Sequence, residues 1–466
     1  MGSSAEKSEK RQDALQDAEL GNIGAHIDSS SASDLGKEET TQNGEEESID
    51  YKTLTWWQAG VVMVAETVSL GILSLPSVVA TLGLAPAIVV MIVLSFFSWY
   101  AGMVMGEFKA QYNWVENFGD AVEIMGRSIG CGPLFQEIFG WAQTLFLVFV
   151  MGSHILTWTI CLNTLTNSAA CTIVWGVVGL ALFWACNVPR TLRAAGHYSF
   201  VSFASVFTAV LITMIDVGIE KPIGSTAFEV SRKVPFTSAF LGVANIAASF
   251  SGHSCFFNVL TEMKNPKDWP KALALLQISD TVLYIVASVV IYIFVGPDVP
   301  APALSAAGSH VVRKVIWGIA IPTIVIGGVI YGHVAARYVF VRIFKDSKHL
   351  VKKTWLGNIS WLGITALVWT IAWIIAQSIP VFNNLLGLMC ALFASWFSFG
   401  IPGMLWLWMY YGEWFTSPKR ILLFSINIGL VLVGFLLCVL GLWSAGEVIS
   451  QDKGTAPWSC ASNAAP

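Results

Sequence analysis

The chain has 466 residues, of which 55% are hydrophobic and only 12% are charged, and its formal net charge is -4. Soluble globular domains carry about 25% charged residues, so this composition excludes an ordinary soluble domain and indicates a membrane protein with many spans. The small negative net charge does not point to nucleic acid, and we expect no nucleic-acid partner.

The first 50 residues differ from the rest of the chain, because they are rich in Asp, Glu, Ser and Gly. Such a segment buries too little apolar surface to offset its ordering entropy. We therefore predict a disordered acidic tail at 1–50, followed by a transmembrane domain at 51–445 and a short tail at 446–466. Lysines in the first tail, among them Lys7, Lys10 and Lys37, make it a candidate site for trafficking or ubiquitination machinery.

Long apolar stretches follow the tail. A membrane helix needs about 20 mostly apolar residues to cross the bilayer core. By this measure the sequence predicts eleven spans. They cover residues 56–80, 84–107, 136–163, 171–188, 197–218, 239–261, 271–296, 313–338, 355–379, 381–411 and 421–445.

The distribution of basic residues predicts the orientation. With a cytosolic N-terminus, twenty of the 26 Lys and Arg residues fall on the cytosolic side and six on the exterior. The positive-inside rule therefore favours a cytosolic N-terminus and an extracellular C-terminus. Cys171 and Cys460 then lie in exterior segments, where a disulfide between them is one possibility.

Two of the predicted spans are interrupted by small and polar residues. The first contains Ser69-Leu70-Gly71, and the sixth contains the sequence SFSGH at residues 249–253. Such residues lower helix propensity, and an unwound backbone at membrane depth is tolerated only where it faces protein or a watery cavity. We therefore predict that both helices are broken and line a binding site.

The positions of these two breaks suggest the architecture. If the first ten spans form two inverted groups of five, the first and sixth spans are equivalent, and paired broken helices mark the substrate site of many secondary transporters. The predicted fold is an all-α polytopic membrane protein with eleven transmembrane helices. It comprises a five-plus-five inverted repeat with broken first and sixth helices, plus one extra helix.

The breaks supply the candidate substrate-binding residues. Freed backbone N–H groups and carbonyls at a broken helix suit a zwitterion, and aromatic side chains suit an apolar wall. Close helix packing remains the alternative for each of these small or aromatic residues. The candidates are Ser69, Leu70, Gly71, Ser249, Phe250, Ser251, Gly252 and Phe256.

Ionisable residues inside spans are costly and are functional candidates by default. Away from the span ends, where solvated or paired carboxylates are ordinary, the candidates are Glu66, His253, Asp280, His154 and His333. We expect one or two of them to carry a coupled proton, although each taken singly is equally explained as a structural group. Na⁺ coordination leaves no sequence signature, so H⁺ is the expected coupling ion and no bound cofactor or metal is expected.

Motifs of other membrane-protein classes are missing from the sequence. It has no G-x-x-x-x-G-K-[ST] loop, zinc motif or G-x-S-x-G elbow. This argues against a primary pump and an enzyme, and leaves transport driven by an ion gradient.

At these residues the sequence resembles the amino acid/auxin permease family, also called the amino acid transporter family. The resemblance rests on SLGILSLP at 69–76, FGD at 118–120, SGH at 251–253 and EMKNP at 262–266, and it covers about residues 52–445. Overall the chain looks most like the fungal branch that takes up neutral amino acids.

The resemblance implies the five-plus-five fold and amino acid uptake with H⁺ or, in some members, Na⁺. Carried over by motif, Ser69, Leu70 and Gly71 would offer backbone groups to the substrate carboxylate, and residues 249–252 would face its amino group. Ser69 replaces the first glycine of the family motif.

We therefore expect a plasma-membrane, proton-coupled importer of neutral aliphatic and aromatic L-amino acids that works by alternating access in the lipid bilayer. A vacuolar exporter of the same family is one alternative. An amino acid sensor or transceptor that signals through the tail is another, and deleting residues 1–48 would distinguish it. A channel is less expected because broken helices around a central site suit occlusion.

Overall fold

The structure is a computed structural model that describes residues 54–190, 195–221, 228–345, 347, 349, 354–451 and 456–464. The predicted tail at 1–50 lies outside these residues. The described chain forms helices joined by short turns. In order they are α1 (Trp56–Leu82), α2 (Leu84–Gln111), α3 (Phe118–Arg127), α4 (Gly132–Thr166), α5 (Thr172–Cys186), α6 (Ala195–Glu220), α7 (Phe236–Ser249), α8 (Phe256–Glu262), α9 (Trp269–Val295), α10 (His310–Ile343), α11 (Trp355–Ser378), α12 (Phe382–Met389), α13 (Ile401–Met409) and α14 (Pro418–Gln451).

This confirms an all-α polytopic membrane protein, and the described residues contain no β-strand. Nine helical segments of the described chain are long and apolar enough to cross a membrane, and a bent pair, Phe382–Ala394 with Trp396–Met409, makes a tenth. The shorter apolar helix α5 occupies the place of the fourth predicted span. The count of eleven therefore stays a prediction.

The predicted break in the first span is wrong, because α1 runs continuously from Trp56 to Leu82. Ser69 and Gly71 lower helix propensity, but Ser69 and Leu70 are buried within the bundle, where little water competes for the backbone hydrogen bonds. The hydroxyl of Ser74 also donates to the carbonyl of Gly71 over 3.0 Å without unwinding the helix. Local composition alone therefore does not break this helix.

The sixth span is broken, as predicted. Helix α7 ends at Ser249, a 3₁₀ turn covers Gly252–Cys255, and α8 begins at Phe256. A second irregular span was not predicted: π-helical turns at Cys390–Ala394 and Trp396–Gly400 separate α12 from α13, which bend by 43°. Pro402 has no N–H to donate to the carbonyl four residues earlier, which accounts for irregular backbone there.

We call the side of the bundle where α1 begins the N face, and the opposite side the C face. At the N face, Leu54 pairs with the segment after α8: its N–H donates to Glu262 O over 3.0 Å, and Lys264 N–H donates to Leu54 O over 2.8 Å. At the C face, Ala85 N–H donates to Val230 O over 2.9 Å. Backbone bridges therefore hold the broken span to α1 and its neighbours on both faces.

The C-terminal segment packs onto the C face. Cys171 and Cys460 form a disulfide, which the sequence left open. The side chain of Asn463 accepts a hydrogen bond from Asn163 and donates one to Thr159, both over 2.8 Å. Helix α14 continues to Gln451, beyond the expected boundary at 445. Residues 456–464 are therefore held against the end of α4 and the start of α5.

Candidate functional site

The middle of α1 and the end of α7 meet at a group of side-chain hydrogen bonds. Ser249 Oγ lies 3.1 Å from Gly71 O on α1 and 2.9 Å from Asn245 O in its own helix, and its single proton goes to one of them at a time. The hydroxyl of Tyr284, on α9, lies 2.9 Å from both Thr67 O and Ser249 O. A phenol has one proton, so it donates to one carbonyl at a time. Tyr284 therefore joins the two helices that carry the predicted breaks.

A cavity of about 50 Å³ opens beside this junction. Six elements contribute to its wall: α1, α4, the end of α7, the break between α7 and α8, α10 and α12. Its lining residues are Glu66, Thr67, Ser69, Leu70, Gly71, Phe146, Val150, Ser153, His154, Ala248, Ser251, Gly252, Ser254, Tyr331, Leu386 and Met389. Polar residues come mainly from α1, α4 and the break, and larger apolar side chains come from α4 and α12.

Five of the eight predicted substrate-binding residues line this cavity, namely Ser69, Leu70, Gly71, Ser251 and Gly252. The structure brings these two distant stretches together as expected. Gly71 sits at a close approach of α1 and α7, because a Cβ there would lie 3.0 Å from the Cα and Cβ of Ser249 and would require the neighbouring helix to shift. Binding of a substrate by these residues stays a prediction.

The other three predicted residues lie beside the cavity rather than on its wall. Ser249 is used in the junction with α1. Phe250 is buried edge-on against Tyr284, with ring centroids 5.2 Å apart. Phe256 is enclosed between His253 and Trp269, at 4.6 and 5.3 Å. All three side chains thus pack within the protein in this structure.

Glu66 is the one acidic residue on the cavity wall among those described. Its carboxylate accepts a hydrogen bond from Ser199 on α6 over 3.3 Å, and Tyr331 donates to its backbone carbonyl over 3.4 Å. The carboxyl group therefore lies between the cavity and α6, so a change in its charge would alter the electrostatic environment of both.

His154 and Ser69 line the cavity with polar atoms that have no partner among the described residues. His154 Nδ1 donates to the carbonyl of Ile324 over 2.9 Å, which leaves Nε2 unpaired. The hydroxyl of Ser69 is also buried and unpaired. A Cβ built on Gly327 would lie 3.2 Å from both of these atoms, so they are close neighbours.

The remaining ionisable candidates lie outside the cavity wall. His253 Nε2 donates to Ser98 O over 3.0 Å, within an aromatic shell. Asp280 is fully buried on α9, and neither carboxylate oxygen has a partner in the described part of the chain. His333 packs on Trp361 with ring centroids 5.2 Å apart. Whether any of them carries a proton stays a prediction, and no metal-binding group of side chains occurs among the described residues.

Several site residues escaped the sequence analysis. Tyr284 and Tyr331 connect α1 to α9 and α10, and Ser153 and Ser254 add hydroxyl groups to the cavity. The available signal was a Tyr inside an apolar span, because a buried phenol needs a hydrogen-bond partner. Serine at membrane depth is too common to single out these two.

The chain is similar to known transport proteins. It matches the family described as transmembrane amino acid transporter protein over residues 52–446. A Neurospora crassa protein named N amino acid transport system protein is 31% identical over 440 residues, 92% of each chain. Proteins named transmembrane transporter, from Fusarium pseudograminearum and Gibberella moniliformis, are each 28% identical, over 446 and 429 residues. The alignments cover 92% of both chains for the former, and 90% of this chain and 89% of the relative for the latter.

Proposed function

This chain belongs to the transmembrane amino acid transporter family, and from that premise we propose that it imports neutral amino acids by proton symport with alternating access. The family and the names of the relatives indicate a multi-pass membrane transporter of amino acids rather than an enzyme. The neutral substrate class, the proton and the import direction are the proposed refinements.

The observation that carries the proposal is the cavity at the break of the sixth span. It places a broken helix, the unpaired Ser69 hydroxyl and the unpaired His154 Nε2 around one cavity. Buried polar groups without partners are rare in folded proteins and call for a specific explanation. An amino acid provides both an ammonium and a carboxylate to complete them, and broken-helix ends favour such charges.

The part of the cavity wall formed by apolar residues of α4 and α12 suits an uncharged substrate side chain. Phe146 and Val150 on α4 face the cavity together with Leu386 and Met389 on α12. Binding sites take their affinity from such apolar surface and their orientation from a few polar groups. With about 50 Å³ of space, the cavity must widen for a large aliphatic or aromatic substrate. The bend between α12 and α13 is the element we assign to that widening.

The helix contacts support an inverted repeat. In such a repeat the sixth to tenth spans correspond to the first to fifth, so every contact has a counterpart. The contact of α1 with α9 joins spans one and seven, and its counterpart is the contact of α7 and α8 with α2, which joins spans six and two. The contact of α1 with α6 joins spans one and five, and its counterpart is the contact of α7 with α12, which joins spans six and ten. Rocking of α1, α7 and α8 against α4 and α10 then opens the cavity to each face in turn.

Glu66 is our proposed proton carrier. It lines the cavity, while Asp280, His253 and His333 do not. The groups around it are the Ser199 hydroxyl, Tyr331 and, on the broken span, Cys255, with His154 on the same cavity. None of these is a permanent cation, so protonation is the route that the surrounding protein leaves for neutralising Glu66.

We place the protein in the plasma membrane with the C face outward. The disulfide Cys171–Cys460 lies on the C face, and disulfides persist in oxidising compartments. A fluorescent fusion distinguishes this location from the vacuolar membrane.

The test is uptake of radiolabelled neutral amino acids in cells lacking their own carriers, at pH 5 and pH 7.5, with and without Na⁺. Uptake that rises at acid pH, ignores Na⁺ and collapses with a protonophore is expected. Uptake that requires Na⁺ would refute coupling to protons. Absence of amino acid uptake by protein at the cell surface would refute the transport proposal.

A further inference from the structure

A second cavity of about 360 Å³ lies at the N face, far larger than the one between α1 and the broken span. It is formed where α2 and α13 end and α9 and α14 begin. These helix termini place it at the depth where membrane hydrocarbon gives way to headgroups.

The floor of this groove is aromatic and aliphatic, contributed by Tyr100, Trp269, Trp406 and Leu423. Two of these rings have a polar atom with a partner within the protein. Trp269 Nε1 donates to Gly102 O over 3.0 Å, and the Tyr100 hydroxyl accepts from Asn427 over 2.6 Å, which leaves its own proton to donate. The floor therefore offers mainly carbon surface.

Two opposite charges stand among the lining residues, Glu107 and Lys267, and both are exposed. Glu107 accepts a hydrogen bond from the Tyr410 hydroxyl through Oε1, which leaves the second oxygen as an acceptor. The Lys267 ammonium has no ion pair within the described part of the chain. Arg420, the nearby cation, is held over the Tyr410 ring at 3.7 Å and beside Glu413 at 3.6 Å.

We propose that this groove binds one aminophospholipid from the leaflet at the N face. Its acyl chain lies on the aromatic floor, its phosphate pairs with Lys267, and its primary ammonium donates to Glu107. The pair of opposite charges favours a zwitterion over an anionic lipid, because Glu107 repels a headgroup that carries only negative charge. A choline headgroup has no N–H to donate to Glu107, so it fits less well than an ethanolamine.

The groove is connected to the broken span. Trp269, at the start of α9, packs edge-on against Phe256 at the start of α8, with ring centroids 5.3 Å apart. A lipid bound in the groove therefore contacts α2 and α9 at the N face, where α8 also ends. Lipid binding itself does not depend on the transport function, so the two proposals fail separately.

Native mass spectrometry of the purified full chain tests the proposal, with phosphatidylethanolamine, phosphatidylcholine, phosphatidylglycerol or a sterol added in turn. One-to-one ethanolamine adducts are expected to dominate. Lys267→Gln should weaken them by about tenfold, the loss of one charged hydrogen bond, and Lys267→Arg should retain them. Glu107→Gln should remove the preference for ethanolamine over choline.

Lys264→Gln and Glu116→Gln are the matched controls, since both residues are exposed and neither lines the groove. If the charge variants do not stay monodisperse, Met103→Trp fills the groove without altering charge and should likewise displace the lipid. Preference for phosphatidylglycerol or the sterol would overturn the proposal. Equal binding of all lipids, unchanged in every variant, would do the same and indicate ordinary annular lipid.

Discussion

The Ser249 hydroxyl lies 3.1 Å from the carbonyl oxygen of Gly71, and this contact joins the end of α7 to the middle of α1. The two residues come from the stretches that the sequence singled out, 178 positions apart. Because α1 is continuous at this point, the contact connects an intact helix to a broken one. The asymmetry places the irregular backbone of the site on the sixth span.

Gly71→Leu should abolish uptake while surface expression survives. A side chain at this position meets the Cα and Cβ of Ser249 at 3.0 Å and the Tyr284 hydroxyl at 3.1 Å, so it must separate α1 from α7. Gly429→Leu on α14 is the control, because a Cβ there has open space around it. Surface biotinylation with radiolabelled uptake measures both properties. Normal uptake by Gly71→Leu would show that the substrate site does not lie between α1 and α7.

Tyr284→Phe should destabilise the protein and slow transport. The change leaves the carbonyls of Thr67 and Ser249 without their shared donor, at a cost of about 1–3 kcal/mol for a buried group. Thermal unfolding in detergent should show a lower midpoint, and uptake kinetics a reduced maximal rate. Tyr411→Phe, at a residue that is 69% exposed, should behave as wild type. An unchanged midpoint in Tyr284→Phe would contradict the bridging role.

Glu66→Gln should remove the acid stimulation of uptake. Glutamine keeps the size and the hydrogen bond from Ser199 but cannot exchange a proton. Wild-type uptake should therefore be higher at pH 5 than at pH 7.5, whereas the variant should show the same rate at both. Glu116→Gln at an exposed position is the control. If Glu66→Gln keeps the acid stimulation of uptake, another group carries the proton. Asp280→Asn is then the next variant to test.

Cys171→Ser should lower stability and abolish the sensitivity of the protein to reducing agent. The disulfide to Cys460 closes a loop of 289 residues, and loss of a native disulfide typically costs about 2–5 kcal/mol. Dithiothreitol should lower the unfolding midpoint of the wild type but not that of the variant. Cys438→Ser, at a free cysteine, serves as the comparison. Equal effects of dithiothreitol on both serine variants would exclude a role for this disulfide.

The sequence by itself determined the membrane class and the position of the apolar helices, and it marked the two stretches where a helix is weakest. These properties are local. Hydropathy summed over about 20 residues decides whether a segment enters a bilayer, and the glycine and serines around His253 weaken a helix wherever it lies. The motif at 251–253 and its continuation at 262–266 also indicated the family, to which the chain belongs.

Only the tertiary structure decided which of these segments unwinds and which side chains reach the cavity. Ser69 and Gly71 remain helical while Ser251 and Gly252 do not, although both pairs have low helix propensity. Phe250 and Phe256 point into the protein because Tyr284 and Trp269 pack against them. The rotation of a helix about its axis, and the donors that meet its carbonyls, are set by neighbouring helices distant in the chain. Such contacts leave no trace in local composition.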